Sequence, residues 1–73
     1  MTPEEALRIA REVAEEKGWP WQEPVRVSRR RSFLFFGAAH WEVWTNAESL
    51  GMNVRVEIDD ATGQVRQKAF LPR

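Results

Sequence analysis

The sequence predicts an α+β fold, with one N-terminal helix packed on a three- to four-stranded antiparallel β-meander. Three observations predict it. Between Thr2 and Gly18, apolar residues recur at helical spacing inside a clear start and stop signal. From Trp41 to Ile58 they alternate with polar residues at a period of two, first as Trp41, Val43, Thr45 and then as Val54, Val56, Ile58. Asp59-Asp60-Ala61-Thr62-Gly63 then has the composition of a hairpin loop. Such a meander has one apolar face that needs a cover, and the helix is the segment able to supply it.

Taken in order, Thr2-Pro3-Glu4-Glu5 begins the helix. Thr2 caps, Pro3 sits where its missing N–H costs nothing, and Glu5 completes a capping box. Ala6, Leu7, Ile9, Ala10, Val13 and Ala14 form one arc, with Glu4, Arg8, Arg11, Glu12, Glu15 and Glu16 on the other. The helix therefore runs from Pro3 to Lys17. Gly18 ends it as a left-handed cap, and Pro20 forbids its continuation. The small Ala6, Ala10 and Ala14 allow close approach to a sheet.

Trp19 to Pro24 is a short, stiff linker that turns the chain back, because each proline restricts itself and the residue before it. Trp19 is expected to plug the end of the core; Trp21 either does the same or forms an exposed platform. A first strand over 25–30 follows. The segment Arg29 to Ala39 lacks clean alternation and carries Phe33, Phe35 and Phe36, so it reads as a long connection or hairpin arm whose aromatics are buried or offered to a partner. Further strands are expected over 41–46, 53–59 and 64–70. In the last, Val65 and Phe70 have opposite parity, which requires either a bulge or a Phe70 that faces away from the helix.

At 73 residues the chain is read as one domain, 1–73, small enough to need its four Trp and four Phe in a core or an interface. No cysteine is present, so disulfides, thiolate metal sites and thiol catalysis are excluded. A formal net charge of zero gives no overall pull towards nucleic acid or anionic membrane. The chain opens on charged residues with no signal peptide and contains no apolar run long enough for a membrane span, so a cytoplasmic location is expected.

Chemistry is sparse. Asp59 and Asp60 do not meet a calcium loop, whose alternate ligand positions would fall on Ala61 and Gly63; turn chemistry explains them. His40 with Glu42 or Glu48 can be written as an acid–base pair, but no nucleophile motif or phosphate loop accompanies it. No catalytic residue, metal site or cofactor is expected. The run Arg29, Arg30, Arg31 beside Phe33, Phe35 and Phe36 has the basic and aromatic character of a single-strand binder, set against an acidic meander. Strand parity places Trp44 and Arg55 on the sheet face away from the helix, where Phe70 joins them if no bulge intervenes. There Trp44 is open to solvent, stacked with Arg55, or covered by the arm.

With the Ala6/Ala10/Ala14 helix, Trp41-Glu42-Val43, and Val56-Glu57-Ile58-Asp59-Asp60-Ala61-Thr62-Gly63-Gln64-Val65, the chain resembles a PepSY domain. That family combines an alanine-rich helix with a β-meander carrying W-x-V and an I-D-x-x-T-G-x-V turn, and occurs in protease propeptides and bacterial cell-envelope proteins. It is also similar to small immunity proteins of cystatin-like and NTF2-like shape. The resemblance implies an inhibitory or binding role and supplies no catalytic residues. The expected function is a non-enzymatic protein-binding module, through a protein partner or self-association, with binding residues Arg29, Arg30, Arg31, Phe33, Phe35, Phe36, Trp44 and Arg55. The alternative is a nucleic-acid-binding accessory domain using Arg29–Arg31 and the aromatics.

Overall fold

A computed structural model describes residues 1–31 and 39–72. Phe33, Phe35 and Phe36 of the expected arm lie outside the described residues. Helix α1 spans Pro3–Lys17, followed by strands β1 (Arg26–Arg31), β2 (Ala39–Trp44), β3 (Asn53–Asp59) and β4 (Val65–Leu71). The strands form one four-stranded antiparallel sheet in sequence order, β1-β2-β3-β4. No helix among the described residues is long and apolar enough to cross a membrane.

The helix ends form as the sequence requires. Thr2 Oγ1 accepts the Glu5 N–H at 3.1 Å, although the Glu5 carboxylate takes the Thr2 hydroxyl at 3.3 Å instead of closing the second half of a capping box. At the other end Gly18 is left-handed at φ 72°; its N–H donates to Glu15 C=O and that of Trp19 to Ala14 C=O, a Schellman closure.

Ala6, Ala10 and Ala14 are the fully buried residues of α1, while Leu7, Ile9 and Val13 flank them half-buried. The alanine column brings the helix backbone close to the sheet, and the larger residues close the sides. Beneath it lie Trp41, Val43, Val54, Val56 and Ile58. Burying each aliphatic contributes about 1.5–3 kcal/mol. Trp19 stacks on Phe70, with ring centroids 6.1 Å apart, and so covers the β4 end of the core as a plug.

Strand limits differ from expectation by one or two residues for definite reasons. β1 begins at Arg26 because the Gln22 and Pro24 carbonyls accept N–H groups of Asn46 and Ala47. β2 starts at Ala39, opposite Arg31, and stops before Asn46, whose φ is 51°. β4 starts after Gln64, whose carbonyl takes the Asp59 N–H.

The parity question in β4 is resolved by a bulge. Ile58 pairs with Val65 but Glu57 with Gln67, which leaves Arg66 as the extra residue and puts Phe70 opposite Val54. Phe70 therefore lies on the helix face and does not join Trp44.

Asn53 corrects a second expectation. Its position in the alternation suggested an outward polar side chain, yet it is 1% exposed. Its Nδ2 donates to the carbonyls of Thr45, Asn46 and Ser49, and its Oδ1 accepts the Gly51 N–H. The β2–β3 loop thus folds over Asn53 and is held from inside by its amide, with Asn46 Nδ2 adding a bond to Gly51 C=O at 3.1 Å. Beside it, Val54 N–H donates to Thr45 Oγ1 and Thr45 N–H to Val54 C=O.

Candidate functional site

The helix covers one face of the sheet, and register sets the other. Arg26, Trp44, Arg55 and Ala69 form a cross-strand row; Ser28, Glu42, Glu57 and Gln67 form the next; Arg30, His40 and Asp59 follow. Directly paired residues share a face and lie within contact range of each other. Trp44, half-buried, thus sits between two cations.

Arg55 does not stack on Trp44. Its guanidinium donates to Glu57 at 3.0 Å and Glu42 at 3.2 Å, and Arg30 Nε approaches Glu42 at 3.9 Å. Among the described residues the cation–π contact is Arg11 over Trp21, at 5.7 Å. The open face therefore sets a row of one aromatic and two arginines beside a row with two carboxylates, and ion pairs across the rows balance the charge. Each of these part-exposed ion pairs contributes at most about 1 kcal/mol.

His40 belongs to the same face, and its ligand atom together with those of Glu42 and Glu57 lies within a 4.8 Å set. Its Nδ1 is buried without a hydrogen-bond partner. A cation would still have to displace Arg55 from both carboxylates, and the arrangement is best described as an ion-pair network. The sequence suggested Glu42 or Glu48 as the partner of His40, whereas register brings Glu57 to Glu42 and leaves Glu48 in the loop.

The arginine run is divided by strand alternation. Arg29 points to the helix side and donates to Asp60 at 2.9 Å; Arg30 points to the open face; Arg31, opposite Ala39, is engaged as well. What reads as one basic patch is thus two half-patches, each in contact with acids.

Asp60 is the acid that sequence reading undervalued. It accepts from Arg29 and, at 2.6 Å, from Trp41 Nε1, and the terminal ammonium of Met1 lies 3.8 Å away. These contacts, first from Arg29 and then from Trp41, hold its carboxyl below the usual aspartate range. Asp59 is also lowered, first by the Thr62 N–H. Its Oδ1 accepts from both Ala61 and Thr62, which is the expected turn chemistry.

A second surface feature lies between α1 and β1. Leu7, Arg11, Trp21, Glu23, Pro24, Val25 and Val27 line a groove of about 380 Å³, apolar along its walls with one cation and one acid. The linker positions Trp21 because Asn46 and Ala47 hold the Gln22 and Pro24 carbonyls. Arg11, expected on the polar arc, lies with Leu7 along this groove and over Trp21; their i, i+4 spacing is the signal in the sequence, and the helix–strand packing brings the pair to Val25 and Val27.

No protein-family model, curated protein or solved structure matches the chain.

Proposed function

We propose that this chain is a non-enzymatic protein-binding module. The observation that carries the reading is the row in which Trp44 lies between Arg26 and Arg55 on the face that the helix leaves uncovered. Tryptophan and arginine are the residue types on which binding energy concentrates, and a half-buried indole needs little ordering to bind. One helix and a four-stranded meander is the shape that the PepSY resemblance implies, and an inhibitory or regulatory role towards the bound protein is proposed from that resemblance alone. A cysteine-free chain is compatible with the reducing cytoplasm. Nucleic-acid binding is the lesser reading, because Arg29 and Arg30 already contact Asp60 and Glu42.

The test compares the wild-type chain with Trp44→Ala as bait in affinity capture, after circular dichroism has established that both fold. A protein retained by the first and lost from the second is expected. A nuclease-sensitive species with a steep salt dependence would overturn the reading in favour of nucleic acid. A concentration-dependent dimer in sedimentation, lost in Trp44→Ala, would identify the partner as a second copy.

A further inference from the structure

We propose that the outer edge of β1, with the groove between β1 and α1, binds an extended acidic segment of another protein, which adds to the sheet as a further strand. The proposal rests on the protein-binding reading and gives the partner a chemistry. Among the described residues β1 has a strand neighbour only in β2, so the outward N–H and C=O groups between Arg26 and Arg30 present a ladder without a partner strand. An extended peptide satisfies such a ladder by main-chain hydrogen bonds, and takes its specificity from alternate side chains.

Alternation divides those side chains between two environments. On the helix side they enter the groove beside Leu7, Trp21, Val25 and Val27, whose apolar surfaces are half-buried and not closed over. On the open side they lie beside Arg26, Ser28 and Arg30. Arg26 is exposed and has no ion-pair partner among the described residues, so it is the cation that an acid on the incoming strand meets first, while Arg30 already shares Glu42 with Arg55. The strand Arg26–Arg31 carries no acid at all. The complementary segment therefore has apolar residues at one parity and aspartate or glutamate at the other.

The same charge argues against a second copy as occupant. Self-pairing of β1 would set arginines against arginines across the new ladder, and like charges directly opposite are destabilising. A basic edge blocks its own dimerisation while leaving an acidic strand welcome.

The experiment uses the full chain and three fluorescein-labelled short peptides in fluorescence anisotropy. One alternates glutamate with valine and leucine; a second has lysine for each glutamate; a third keeps the glutamates but is N-methylated at alternate backbone nitrogens. The first is expected to bind, with the second and third weaker by about tenfold or more. Arg26→Glu, a surface change, is expected to shift preference from the glutamate peptide towards the lysine peptide. In an amide correlation spectrum the glutamate peptide should move Arg26–Ser28 and Leu7. Equal binding of the N-methylated peptide, or shifts confined to β4, would overturn strand addition. Failure of all three peptides to bind, while Trp44-dependent capture persists, would overturn this proposal alone. Loss of Trp44 dependence with intact peptide binding would leave the edge site standing and remove the open-face reading. A concentration-dependent dimer that protects the Arg26–Ser28 amides and excludes the glutamate peptide would assign the edge to a second copy.

Discussion

Trp41 Nε1 donates to Asp60 Oδ1 at 2.6 Å, and the same carboxylate takes Arg29 on its other oxygen. One side chain in the β3–β4 turn thereby ties β1 and β2 together at the end of the sheet where the N-terminus also arrives. The indole is 7% exposed, so its N–H could not readily find water in place of this acceptor.

The pH dependence follows from that contact. The Asp60 carboxyl is lowered from its ordinary value of 3.8, so the folded state holds the proton less tightly than the unfolded chain does. Its stabilisation is fully present above the ordinary value and is lost as pH falls through the lower, folded one. Urea denaturation across this acid range should show wild-type stability declining below about pH 4. Asp60→Asn should show a shallower decline, the remainder coming from Asp59. An unchanged slope in Asp60→Asn would mean that the carboxylate does not hold the turn.

Gly63 has φ 75°, and a Cβ there would meet Met1 Cε at 3.3 Å. Gly63→Val combines left-handed strain for a β-branched residue with crowding under the N-terminus, and should cost more than about 1 kcal/mol. Ala61→Ser, at an exposed turn position, should stay within about 0.5 kcal/mol. Thermal unfolding of the two variants beside wild type provides the comparison.

Because the alanine column makes the closest helix–sheet contact, enlarging it should harm more than trimming its flanks. Ala10→Leu should destabilise by about 1–3 kcal/mol through overpacking. Ile58→Ala, at 0% exposure, should cost about 2–5 kcal/mol. Ile9→Ala and Val13→Ala, both half-buried, should fall below Ile58→Ala, and Arg8→Ala should be nearly neutral. Arg11→Ala should lose about 0.5–1 kcal/mol with the Trp21 contact. Chemical denaturation would rank the series, and Ile9→Ala exceeding Ile58→Ala would move the centre of the core.

Asn53 is the side chain on which the β2–β3 loop depends. Asn53→Leu is nearly equal in size but removes the donor to the Thr45 and Ser49 carbonyls and the acceptor of the Gly51 N–H, while the Asn46 carbonyl keeps the Ser49 N–H. Each buried group left unsatisfied costs about 1–3 kcal/mol. Hydrogen exchange should accelerate at Gly51 and Val54 in this variant. Protection there equal to wild type would show that the loop is held by other contacts.

The sequence by itself determined the order of elements, the two helix ends, the apolar face of β2 and β3, and the Asp59–Gly63 turn. Each of these signals is complete within a few residues: a cap hydrogen bond spans three, and a strand face repeats every second one. The tertiary structure alone decided what depends on neighbours far along the chain. The extra residue Arg66 reverses parity in β4 and returns Phe70 to the core, which no local pattern could choose over the alternative. Asn53 is buried because a loop closes over it, although its place in the alternation is that of an outward residue. The arginine run parts into two faces when β1 becomes a strand, and its acids arrive from β2 and from the β3–β4 turn. The groove beside β1 exists because the helix is seated on a sheet whose outer strand it leaves uncovered. Pairing of this kind is set by register and by the packing of whole elements, and those are properties of the assembled chain rather than of any stretch within it.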